Sequence, residues 1–241
     1  KDLGMQEQLI TKEAIEDEIV AVQTQLLTIR SLMDTSILYQ ATSMTELQAV
    51  LPLVENSLHK HNLRAINGLQ FKVLHPSGVL LHWSTAGIYF PYSGECNIDG
   101  GLHPIQVPFT LAHELAHGQG WGDEATCNFL GWLALQDADN ELFKYSAWFD
   151  YWRELLSNYR QNYPKDYAKI YQSIDNKLLT DLKNIKLTMN RYADWLPNLR
   201  DKIYDNYLKS QGIGEGVKSY NAMIRLVYAY RNSASLNSRT D

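Results

Sequence analysis

The chain has 241 residues, 45% of them apolar and 20% charged, and a formal net charge of -5. That balance suits a globular protein with a substantial core, as one domain or two small ones, and excludes a disordered chain. It also excludes general nucleic-acid binding, which needs a basic face: there is no Lys/Arg cluster and no Gly-rich phosphate loop.

No apolar run approaches the ~18–20 residues that span a bilayer, and no secretory segment opens the chain, so the sequence as given reads as a soluble piece beginning at Lys1. Cys96 and Cys127 are too few for a disulfide scaffold and leave the compartment open; pairing between them and two free thiols are both compatible with the sequence.

From Ile15 the apolar residues Ile15, Ile19, Val22, Leu26, Ile29 and Met33 recur at alternating steps of four and three, which predicts a long amphipathic helix within residues 1–36. Three heptads are short for a coiled coil, which favours a helix laid on its own domain over a dimer seam. A domain over 37–232 and a frayed tail over 233–241 follow. A second helix is expected from Met44 to His59, capped by Ser43 or Thr45. "LQFKVLH", "GVLLHWS" and "GIYFPYSGECNI", within residues 69–98, are short, β-branched or aromatic, and separated by turn residues, which predicts a sheet of about three strands.

After Pro108 the pattern is helical. Residues 166–189 place Ile170, Ile174, Leu178, Leu182, Ile185 and Met189 on one face. Gly212, Gly214 and Gly216 mark a turn before a last helix over about Val217 to Tyr230. The aromatic run "YSAWFDYWRELLSNYRQNYPKDY" is interleaved with Arg153, Glu154 and Arg160, which favours a core helix over one facing a membrane headgroup zone.

The chemistry concentrates in "TLAHELAHGQGWGDEATCNFLGW", residues 110–132. His113-Glu114-Leu115-Ala116-His117 is an HExxH sequence. Residues four apart share a helical face, so both imidazoles reach one ion, while Glu114 beside them is placed to take a proton from a water that the ion activates. Zn2+ is the ion that this donor chemistry suits, with a position left for water. Pro108 fits the helix start and Gly118 its end.

Gly118 and Gly120 then permit a reversal, and Asp123 or Glu124 opens a new helix, expected to run through Ala134, whose first turn points a carboxylate back at the histidines. Asp123 lies six residues after His117, a known third-ligand spacing. It is also a good N-cap, and a side chain folded onto its own helix does not reach a metal. The sequence therefore favours Glu124, with Asn128 one turn on to orient it. The bland alternative is a capped helical hairpin without metal. The other histidines lack ligand spacing.

The segments "GIYFPYSGECNIDGG", "PFTLAHELAHGQGWGDEATCNFLGWLA" and "YLKSQGIGEGVKSYNAMIRLVYAYR" resemble, in order and spacing over about residues 43–231, the bacterial family known as domain of unknown function 3810. The resemblance implies a zincin-like, peptidase-like domain, with hydrophobic spans preceding this region and hence a membrane-anchored protein of the cell envelope, its domain extracytoplasmic. Residue by residue it carries onto His113, Glu114, His117, Glu124 and Asn128. Cys96 and Cys127 stand where alanine is more usual, and Thr126 replaces a second acid, so Thr126 cannot serve as a ligand.

Two further roles come from zincin chemistry. "GIYFPYSGECN", with Pro91, suits an edge strand that holds an extended substrate, although a plain core strand fits equally. Tyr220 has the chemistry to donate a hydrogen bond to an oxyanion, against a simpler role packed in the core. The expectation is thus an α+β fold, mostly helical, with one small sheet and an HExxH helix: a zinc metalloendopeptidase acting on peptide or protein substrates. Glu114 and Tyr220 are its catalytic candidates, and His113, His117 and Glu124 its metal ligands. The rival is a binding module of the cell envelope that uses the same site without turnover.

Overall fold

The computed structural model describes residues 10–195 and 220–237. Helices carry most of them, around one three-stranded sheet and one hydrophobic core. Helix α1 (Lys12–Leu32) starts at Thr11, whose hydroxyl accepts the Ala14 N–H. Its stripe of Ile15, Ile19, Val22, Leu26 and Ile29 is buried against α6 (Glu141–Asn162), so the helix shares the core of the rest of the chain. In α6 the side chains of Tyr145, Phe149, Tyr151, Trp152 and Tyr159 are buried, which makes the aromatic run a core helix.

The expected second helix is two pieces, α2 (Met44–Leu47) and α3 (Val50–Lys60). Pro52 explains the break: its ring clashes with the carbonyl four residues back, on Gln48, and it has no N–H to offer there. Ser43 opens α2 with a capping box to Glu46. Likewise residues 166–189 form α7 (Tyr167–Gln172) and α8 (Asn176–Met189), because Asp175 caps a fresh start by accepting the Lys177 N–H. The last helix, α9 (Tyr220–Asn237), runs past Tyr230 into the segment read as a frayed tail. It is anchored there by an ion pair between Arg231 and Glu18 of α1. The glycine-punctuated turn at 212–216 lies outside the described residues.

The sheet has three strands, but not the three that composition suggested. They are β1 (Gln70–Leu74), β2 (Gly87–Phe90) and β3 (Glu95–Asp99), in the order β1–β3–β2, with β1 parallel and β2 antiparallel to β3. "GIYFPYSGECNI" is a hairpin of two strands. "GVLLHWS" is a turn followed by a 3-10 segment, Leu81–Trp83. The cause is Asp99 at the end of the buried central strand. Its carboxylate accepts the N–H groups of Gly78 at 2.7 Å, Leu80 at 2.7 Å, Leu81 at 3.2 Å and Gly101 at 2.7 Å, gathering that loop into a curl instead of a strand.

Helix α4 (Val107–Gly118) lies across one face of this sheet. The buried Cys96 thiol reaches the Glu114 carbonyl oxygen at 3.2 Å, which brings the middle of α4 to the central strand. On its other side the Phe109 N–H donates to Ser146 Oγ of α6 at 3.0 Å. Helix α5 (Glu124–Leu135) doubles back against α4. Among the described residues, no helix is long and apolar enough to cross a membrane.

Candidate metal centre

Pro108, at the start of α4, gives up an N–H that the first turn leaves unpaired anyway. The helix runs through His117 and closes at Gly118, and Gly120 follows with φ of 99°, a conformation that side chains other than glycine rarely adopt. The chain reverses there. Asp123 then caps α5: its carboxylate accepts the Thr126 N–H at 2.7 Å and the Thr126 hydroxyl at 2.6 Å. That commits Asp123 to its own helix and turns the next residue, Glu124, back toward α4.

The result is a triangle of donor atoms. His113 Nε2 and His117 Nε2 stand 3.1 Å apart. Glu124 places Oε2 at 3.3 Å from His113 Nε2 and Oε1 at 3.5 Å from His117 Nε2. Tetrahedral ligands at the ~2.0–2.1 Å of zinc–nitrogen bonds stand about 3.3–3.4 Å from one another, so the two nitrogens and the carboxylate, which meets each through a different oxygen, have spacings near those around one such ion. These three side chains form the metal-competent cluster found among the described residues.

The surroundings orient the donors. His117 Nδ1 lies 2.8 Å from the Trp121 carbonyl oxygen, so it carries the proton and leaves Nε2 its lone pair. The Cys127 thiol packs 3.3 Å from both that Nδ1 and that carbonyl. Burial alone would raise the Glu124 carboxyl, but hydrogen bonds from His113 and His117 carry it well below the usual carboxylate range. For His117 the burial that disfavours its charge is outweighed by Glu124, and its pKa rises.

Glu114 is buried between the two imidazoles and the sheet. Burial raises its carboxyl pKa, against the pull of the two imidazoles and of the Tyr89 N–H. The geometry of β2 accounts for that N–H. Asp99 donates its N–H to Ala86 at 2.9 Å, so the inward-bonded positions of β2 alternate from Ala86, through Ile88 to Phe90. The peptide groups of Gly87 and Tyr89 therefore face away from β3, along an edge that no further strand covers among the described residues. A methyl group on Gly87 would lie 2.6 Å from Glu114 Cγ and 2.9 Å from the Asn97 carbonyl oxygen, so only glycine lets this edge approach the acid so closely.

Several expected residues stand elsewhere. Asn128 is half-buried on α5 and makes no hydrogen bond to Glu124, whose partners are the two imidazoles. Tyr220 opens α9, and its side chain lies outside the described residues. Cys96 and Cys127 are free, buried thiols, the former pushed up to about 12 by burial.

The sequence did not point to Asp150 and Glu154, one turn apart on α6. Burial raises the Asp150 carboxyl, with Arg153 and then His113 opposing the rise, and burial together with Asp150 pushes Glu154 up to about 7. Their only sequence signal is two acids spaced by four within an otherwise aromatic helix. The Trp121 carbonyl left no signal, because backbone atoms carry no residue identity.

A family model described as "Protein of unknown function (DUF3810)" matches residues 1–228, which takes in α1 and extends the similarity well before residue 43. No curated protein and no solved structure matches the chain.

Proposed function

For a chain that thus belongs to the DUF3810 family, we propose a zincin-like, zinc-dependent hydrolase of peptide bonds. One observation carries the reading: His113 Nε2, His117 Nε2 and the Glu124 carboxylate converge with spacings near those of a tetrahedral site, and the carboxylic acid of Glu114 follows directly on the first ligand. His113, His117 and Glu124 would hold the ion. Zinc supplies Lewis acidity that makes a water nucleophilic near neutral pH and polarises the scissile carbonyl.

The chain's own residues do the rest. Glu114 takes a proton from the attacking water and returns it to the leaving amine. Its buried setting raises its proton affinity toward the operating pH, which suits both halves of that transfer. The outer edge of β2 runs next to Glu114, which takes the Tyr89 N–H, and the outward peptide groups beside it are the kind of surface on which an extended peptide adds as a further strand. A site that merely holds zinc for structure has no use for an acid at position 114. The presence of Glu114 therefore favours the hydrolase over a binding module built on the same three ligands.

The test is Glu114→Gln, which removes the base and keeps every ligand. Elemental analysis of chelator-free preparations is expected to find about one zinc per chain in both proteins. On a denatured-protein or mixed-peptide substrate the variant is expected to lose ~10²–10⁴-fold in rate. No zinc in the wild type at micromolar free metal overturns the metal site. Equal turnover by the two proteins overturns the mechanism, and zinc without turnover in the wild type favours the binding module.

A further inference from the structure

The two histidines of the site are held differently. His117 directs Nδ1 at the Trp121 carbonyl oxygen, whereas His113 Nδ1 is buried with no hydrogen-bond partner. An imidazole that coordinates through Nε2 carries its proton on Nδ1, and a buried N–H left without an acceptor has lost its water and gained nothing in return. A ligand histidine in this position calls for an acceptor close by.

The packing of α6 on α4 supplies one. The Phe109–Ser146 hydrogen bond fixes the register of the two helices. One turn further along each, on the same faces, stand His113 and Asp150. The two are electrostatically coupled, since His113 is one of the two groups that favour the charged form of Asp150 against its burial. Arg153 Nη1 donates to Asp150 Oδ1 at 3.3 Å, a long contact on a partly exposed side chain, and among the described residues no hydrogen bond reaches the second carboxylate oxygen.

We propose that Asp150 is the positioning residue of His113, accepting its Nδ1–H directly or through one water. The inference rests on reading the cluster as a metal site. The carboxylate fixes the Nδ1–H tautomer, holds the ring so that its Nε2 lone pair meets those of His117 and Glu124, and makes the imidazole a stronger donor. The two ligand histidines are thus oriented by unlike devices. A backbone carbonyl serves His117 and a side chain from a different helix serves His113.

Zinc affinity of the full chain, read by competition with a chromophoric chelator, tests this with Asp150→Leu and Asp150→Asn. The leucine variant is expected to bind zinc ~10–100-fold more weakly, while asparagine, which keeps an acceptor oxygen, stays within about threefold of wild type. The metal-free melting temperatures of all three are expected to agree. A purely structural role would instead lower the melting temperature of metal-free Asp150→Leu and leave zinc affinity alone. Wild-type affinity in Asp150→Leu overturns this inference while the metal site stands. A wild type that takes up no zinc overturns the metal reading, and this inference with it.

Discussion

Two buried polar clusters in this molecule are built on opposite rules. Arg30, Tyr145 and Asp181 join α1, α6 and α8: Arg30 Nε donates to Asp181 Oδ2 at 2.9 Å, Arg30 Nη2 to Oδ1 at 3.3 Å, and the Tyr145 hydroxyl to Oδ2 at 2.6 Å. The donors that face Asp181 each meet one of its oxygens, and the charges cancel. In the His113–His117–Glu124 cluster three atoms with lone pairs converge on one point from α4 and α5. The first arrangement completes itself and ties helices together. The second leaves three donors facing one another, an arrangement that a cation would complete.

The sharpest way to break that contrast is to remove one carboxylate from each cluster. Asp181→Ala leaves Arg30 and Tyr145 without their buried partner and is expected to lower unfolding free energy by about 3–5 kcal/mol, measured by denaturant titration, with zinc affinity of the folded protein unchanged. Glu124→Ala is expected to do the reverse. Zinc affinity falls by more than the ~100-fold upper range for losing an orienting partner, since a ligand itself is gone. Unfolding free energy of the metal-free protein falls by less than in Asp181→Ala, because imidazoles, unlike the guanidinium of Arg30, can shed their charge once the carboxylate is gone. Equal stability losses in the two variants would erase the distinction.

How much of this was legible in the sequence depends on the reach of each signal. The α4–α5 hairpin could be read from spacing and caps alone, because HExxH, the glycine turn and the Asp123 cap all act within a few residues of one another. The α1 stripe was equally plain. The segment "GVLLHWS" was misread as a strand because its apolar, β-branched composition speaks locally, while the Asp99 carboxylate that curls it lies at the end of β3. Pro52 marked the break between α2 and α3, and apolar periodicity masked it. Asp150 was out of reach for a different reason: only the register of α4 against α6 brings it to His113.

The α6 acids offer a second, smaller test of which cluster they belong to. Glu154 sits at about 7 in the folded chain against an ordinary 4.5. A carboxyl whose folded value is raised holds its proton more tightly when folded. Its contribution to stability is therefore present at low pH and is lost as pH rises from about 4.5 to about 7. Glu154→Gln cannot ionise and is expected to flatten that slope, gaining on the order of 1–3 kcal/mol over wild type at pH 8 and nothing at pH 4. A gain at pH 8 would mark Glu154 as an acid whose burial and nearness to Asp150 are left uncompensated. An unchanged pH profile would place Glu154 with the satisfied cluster.

The smallest effect separates neighbours. Asp123 and Glu124 are adjacent acids at the start of α5, and the sequence left the choice of third ligand between them. In the structure Asp123 accepts both the N–H and the hydroxyl of Thr126, so its oxygens are spent on the helix, while Glu124 faces the imidazoles. Removing a cap of this kind costs about 0.5–2 kcal/mol. Asp123→Ala is accordingly expected to lower the melting temperature of the metal-free protein by a few degrees and to leave zinc affinity within about threefold, since the helix start loosens without a ligand being lost. Thr126→Ala should reproduce part of that loss, because it removes the hydroxyl half of the same contact. If Asp123→Ala sheds zinc while Glu124→Ala retains it, the ligand assignment is inverted: the carboxylate that caps α5 in this structure would be the one that moves to the ion.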